Sequence, residues 1–292
     1  MALLDAVLDV VQHEYAKSEP VWKISRILSS DTTFLEMECS EPSEFDPFGW
    51  RKEMFDKYKK GKVEAEVREC AYGRVVALGE KHMIQDIPWG LWGRILRTYW
   101  QGKKAKIFFL ANPYLRTMGT QAHSVNPYPS KKYKPLGPEN INGGYTYSCN
   151  IETIVIYRAE DATRVLLHEL QHASCLDHME HSTDLVEAET EAWAELLYAG
   201  LLSQGKRQLF YELVKKQADW MQAQNAVVKR HIHHERQFPW RYTIGKEEVW
   251  RRWALLKEQS RTSRSLNIHS LRLTPPPTAA LKRTFGVDSN IL

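Results

Sequence analysis

The run His168-Glu169-Leu170-Gln171-His172 constrains this chain more than any other five residues. Its histidines are four apart, and Val165, Leu166, Leu167, Leu170, Ala173 and Leu176 around it are apolar at helical spacing. On a helix such a pair lies on one face, one turn apart, so two imidazoles can be offered to a single cation. Glu169 is turned about 100° from His168 and projects beside such an ion. Ligand, base, two spacers, ligand is the order that metal-assisted hydrolysis needs. The glutamate takes a proton from a water made acidic by the ion and later passes it to the leaving amine.

The context of the run suits a helix packed on a sheet. Residues 143–147 and 151–157 are β-branched and aromatic and predict two strands, followed by the motif helix from Asp161 to about Leu176. Further helices are expected over 2–17, 50–69, 185–202, 210–231 and 247–259, and a strand over 106–110. Residues 31–50, with Pro42 and Pro47, and 112–140, with Pro127, Pro129, Pro135 and Pro138, read as connectors. The expected fold class is α+β, a mostly helical core with a small twisted sheet preceding the motif helix. Three parts are expected: an N-terminal α+β region over 1–135, the core over 136–260, and a poorly packed tail over 261–292 that contains Pro275-Pro276-Pro277.

With 292 residues, 43% of them hydrophobic, the chain can bury a sizeable core and is not of disordered composition. No stretch approaches the roughly 18 to 20 apolar residues of a membrane helix. The N-terminus carries Asp5 and Asp9 where a signal peptide needs a basic start, so an intracellular location is expected. Cys39, Cys70, Cys149 and Cys175 are far apart and form no CxxC pair, which argues against a disulfide framework and for a reducing compartment. The net charge of +4 conceals blocks: −7 over 1–50, +11 over 51–134, −10 over 135–200 and +10 over 201–292. Nucleic acid is not the expected partner, because Trp50, Phe55 and Tyr58 among the lysines of 50–62 fit a solvated amphipathic helix and no nucleic-acid motif accompanies them.

On the five motif residues the sequence resembles the zincin metallopeptidases, over about residues 140–200. The resemblance implies Zn2+ as cofactor, a peptide or protein as substrate, an edge strand lining the substrate cleft, the motif helix beneath it, and a third ligand from downstream. The strand Ile154-Val155-Ile156-Tyr157-Arg158 also resembles one that precedes such a helix in uncharacterised proteins of large DNA viruses.

For the third ligand, two patterns compete. His178 stands at the metzincin offset, ten residues after His168, but Cys175 occupies the position where that motif has glycine, and a Cβ there costs about 1 to 2 kcal/mol in a left-handed turn. Glu191 stands at the gluzincin spacing, and Glu191-Ala192-Trp193-Ala194 resembles the signature of that group, so Glu191 is preferred. Glu187, Glu191 and Glu195 share one helix face, where like charges repel unless a cation relieves them. Glu187 is the next choice, and a neighbour of the ligand would accept the free N–H of a ligand histidine. Tyr211, His231 and Tyr242 are candidate oxyanion donors. His231, His233 and His234 read as a basic helix end, and Cys175 as a packed thiol.

The expected activity is that of a zinc peptidase in which His168, His172 and Glu191 hold the ion and Glu169 is the general base. The alternatives are a zincin scaffold that binds without turnover and a basic adaptor for nucleic acid or acidic partners.

Overall fold

The computed structural model describes residues 2–118, 136–178, 180–231, 238–256 and 269–292. The fold is α+β, with helices around one mixed sheet of six strands. Helix α1 (Ala2–Tyr15) is followed by β1 (Lys23–Ser25), α2 (Ser29–Ser40) and α3 (Trp50–Lys59). A hairpin, β2 (Glu64–Glu69) and β3 (Gly73–Gly79), comes next. The short α4 (Lys81–Gln85) and α5 (Trp89–Thr98) then cross over to β4 (Ala105–Leu110), which pairs parallel with β3. After α6 (Pro138–Ile141) come β5 (Gly144–Tyr145), β6 (Ile154–Ile156) and the motif helix α7 (Ala162–Ala173). The remaining helices are α8 (Thr183–Ser203), α9 (Arg207–Val228), α10 (Phe238–Tyr242), α11 (Ile244–Arg252) and α12 (Ala279–Phe285).

The strand order is β1-β2-β3-β4-β6-β5, with β6 parallel to β4 and β5 antiparallel at the edge. Side chains alternate across the strands. Val75, Ala77, Ile107, Phe109, Ile154 and Ile156 face a large core shared with α1, α5, α7 and α8, whereas Val76, Leu78, Phe108, Leu110, Val155 and Tyr157 face a smaller one closed by α2 and α3. Both faces of β3 and β4 are therefore covered, and their near-continuous apolar runs are what a doubly buried strand requires.

Several expectations from sequence are corrected. Residues 31–40, expected within a connector, belong to helix α2: Asp31 accepts the backbone N–H of Leu28 and starts it. The stretch 50–69 splits into α3 and β2, turning at Gly61, whose φ is +65°. Strands β4 and β6, from either side of residue 135, are neighbours in one sheet, and Leu273, Ile291 and Leu292 lie in the large core. The segment 269–292 is no loose tail: Leu271, Leu273, Val287, Ile291 and Leu292 are all buried. The prolines at 127, 129 and 135 lie outside the described residues. Among the described residues no helix is long and apolar enough to cross a membrane.

Candidate metal centre

Helix α7 begins at Asp161, a left-handed residue with φ 58°. Its carboxylate accepts the Leu273 N–H at 2.9 Å and the Thr274 hydroxyl at 2.8 Å and pairs with Arg272 at 2.7 Å, which holds an otherwise costly conformation. From there Leu166 and Leu170 point into the main core, and the opposite face carries Val165, His168, Glu169 and His172 along a cleft of about 720 Å³. The Nε2 atoms of His168 and His172 converge to 3.0 Å.

The third group on that cleft face comes from α8. Oε2 of Glu187 lies 3.5 Å from Nε2 of His168 and 3.7 Å from Nε2 of His172, and the three residues form a metal-sized cluster. Zinc with ligands at 2.0 to 2.2 Å in tetrahedral array separates them by about 3.3 to 3.6 Å, close to the spacing here. Oε2 of Glu187 is also buried without a hydrogen-bond partner, an arrangement that costs free energy unless a cation meets it. These residues therefore fit a divalent ion.

Glu191, preferred from sequence as the third ligand, takes another position. It lies one turn deeper along α8, where its Oε1 comes within 3.0 Å of Nδ1 of His168, on the far side of the ring from Nε2. Both its oxygens engage the Arg164 guanidinium. Helical spacing puts Glu187 and Glu191 on one face, but only the axial offset between α7 and α8 decides which is level with the Nε2 atoms. His178 is exposed and faces Glu180 at 3.3 Å. Cys175 does adopt the left-handed conformation, φ 56°, yet the chain does not turn His178 back to the histidine pair.

That turn carries a further correction. Cys175 is not a packed thiol: it is exposed and forms a disulfide with Cys149, while Cys39 and Cys70 are free and buried. The bond joins the end of α7 to the loop after β5, where the Cys149 N–H also donates to the His172 carbonyl at 2.9 Å. Just beyond it, Asp177 brings its carboxylate to 2.8 and 2.9 Å from Nδ1 of His172. Asp177 thus orients the His172 ring and leaves its Nε2 toward the cleft, while Nδ1 of His168 has the Glu191 carboxylate beside it as a charge partner and makes no hydrogen bond.

The charges are strongly coupled. Burial pushes both imidazole pKa values down, but Glu191 and Glu187 raise His168 to about 9, and Asp177 and Glu187 raise His172 to about 10. Burial pushes Glu187 up, and its contacts with both histidines outweigh this and hold it well below the usual range. Glu169 is dominated by burial and rises to about 7 despite the nearby histidines. It stands beneath the sheet edge, next to Gly144 of β5.

Of the three expected oxyanion donors, Tyr242 lines the cleft. Its phenol is held protonated by burial and by Glu187. Tyr211 is bonded to Asp5 of α1, His231 is buried off the cleft, and His233 and His234 lie outside the described residues. Sequence reasoning missed Asp177 and a second cleft donor, His181, whose Nδ1 faces Glu189 at 3.1 Å. The short spacing from His172 to Asp177 was the available signal. No protein-family profile, curated protein or solved structure matches the chain.

Proposed function

We propose that this chain is a zinc-dependent peptidase of zincin type, with His168, His172 and Glu187 as the ligands and Glu169 as the general base. The observation that carries this reading is the convergence of two Nε2 atoms and one orphaned carboxylate oxygen beside a second, buried carboxylate. When bound, zinc would polarise the scissile carbonyl and make water acidic at neutral pH.

The other roles belong to the chain itself. Strand β5 is the edge of the sheet, so an extended peptide can lie along it by backbone pairing, with its carbonyl above the histidine face of α7. Glu169 takes the proton of the attacking water and returns it to the leaving nitrogen as the C–N bond breaks. Tyr242 and His181 are the hydrogen-bond donors available for the carbonyl oxygen as it gains negative charge. Asp177 and Glu191 keep the two rings aimed. We further assign an intracellular location on the free, buried Cys39 and Cys70. The Cys149–Cys175 bond is the feature that weighs against it.

The test is zinc analysis of purified protein together with hydrolysis of a mixed peptide library. One zinc per chain is expected, lost in His168→Ala and His172→Ala. Glu169→Gln should keep the ion and lose at least a hundredfold in rate. Parent protein without stoichiometric zinc, or hydrolysis indifferent to Glu169→Gln, overturns the proposal.

A further inference from the structure

Behind His168, at the floor of the cleft and beneath it, four almost fully buried charged side chains from three helices meet: Arg164 of α7, Glu191 and Glu195 of α8, and Lys246 of α11. Arg164 forks onto Glu191. Its Nη1 donates to Oε1 at 2.8 Å, and its Nη2 donates both to Oε2 and, at 3.1 Å, to the Glu191 backbone carbonyl. Lys246 donates to Oε1 of Glu195 and stands 4.0 Å from Oε2 of Glu191, while Nη2 of Arg164 is 3.8 Å from Glu195. Two cations and two anions thus form a neutral cluster.

Such a cluster is poorly explained as a stabilising device. Buried ion pairs are often no better for stability than apolar residues of the same volume, because desolvation offsets their attraction. What it does is fix one carboxylate. The Arg164 fork occupies both oxygens of Glu191 and ties the side chain to its own backbone, so the carboxylate cannot rotate, and its Oε1 is left 3.0 Å from Nδ1 of His168. Lys246, brought by α11, supplies the second positive charge, and Glu195 balances it.

We infer that Arg164 and Lys246 are positioning residues for the ligand His168, acting through Glu191, and that the Glu195–Lys246 pair is the outer support of the metal centre. This rests on the peptidase reading only in taking His168 as a ligand. It extends the centre across the helix layer to α11, some eighty residues along the chain.

The experiment uses full-length protein with zinc, and with cobalt as a spectroscopic substitute. The double variant Glu195→Gln/Lys246→Met removes one anion and one cation together, so the cluster stays neutral. Zinc affinity by chelator competition is expected to fall ten- to a hundredfold, with a changed cobalt absorption band and a retained cooperative melt. Arg164→Lys, which keeps the charge but not the fork, should give a smaller loss in the same direction and serves if the double variant does not fold. Unchanged zinc affinity and cobalt spectrum alongside a lowered melting temperature would show a structural role alone and overturn the inference. Parent protein that binds no zinc would remove the peptidase reading and this inference with it, whereas normal binding in the variants strikes only here.

Discussion

Gly144 passes so close to Glu169 that a Cβ on it would lie 3.3 Å from Oε1 of the glutamate, as well as 2.7 Å from Cγ1 of Val165. The edge strand thus leaves little room for a side chain beside Glu169, the proposed general base. Gly144→Ala is expected to cost about 1 to 3 kcal/mol through overpacking and to cut peptide hydrolysis at least tenfold while zinc content stays the same. Thermal melts, metal analysis and steady-state rates together check this, and a fully active alanine variant would show that the cleft lies elsewhere.

Glu187 and Glu191 should part company on substitution. Glu187→Gln removes the orphaned oxygen and is expected to abolish stoichiometric zinc with little change in melting temperature. Glu191→Gln leaves Arg164 and Lys246 short of a buried counter-charge and should destabilise the fold by about 3 to 5 kcal/mol. Denaturant melts of the metal-free proteins separate the two.

Asp177→Asn keeps the shape of the side chain but weakens its hold on Nδ1 of His172. Zinc affinity is expected to fall ten- to a hundredfold with the fold intact. Competition with a chelator of known affinity reads the change, and an unaltered dissociation constant would release Asp177 from the centre.

The Cys149–Cys175 bond joins residues 26 apart in sequence, so its reduction should cost about 3.5 kcal/mol by the loop-entropy relation. Thiol titration in denaturant should find two free cysteines before phosphine reduction and four after it.

Far from the cleft, Asp31 should shape the acid limb of stability. Burial pushes its carboxyl pKa up, but hydrogen bonds from Arg74 and Lys106 prevail and hold it below 3.8. Its folded value is therefore lower than its unfolded one. The stability it contributes is present above about pH 4 and is lost as pH falls through the depressed folded value. Asp31→Asn is expected to lower the melting temperature at pH 7 and to flatten its decline between pH 4 and 2.

Helices α7 and α8 were legible in the sequence because each carries apolar residues at helical period, as Leu166 and Leu170 do in α7, whereas the short α6 and α10 at the cleft were not. The placement of His168 and His172 on one face, with Glu169 beside them, could be read for the same reason, since local spacing alone sets it. The third group could not: choosing Glu187 over Glu191 needs the axial offset of two packed helices, which no local pattern encodes. The hairpin of β2 and β3 was missed because Glu64, Glu66 and Glu69 make β2 polar, and its pairing with β3 supplies what its own composition does not. Cys149 and Cys175 gave no spacing signal, since β6 and α7 fold between them before they meet.

The strand order has a practical bearing on any attempt to trim this protein. Strands β3 and β4, at the middle of the sheet, come from the first 110 residues, and β6 meets the sheet only through β4. A fragment beginning near residue 136 would carry every proposed zinc contact yet present the bare β4-side edge of Ile154, Val155 and Ile156 to solvent, an invitation to aggregate. Expression trials that cut there should yield inclusion bodies, and the smallest working piece will keep the hairpin and crossover of the N-terminal third.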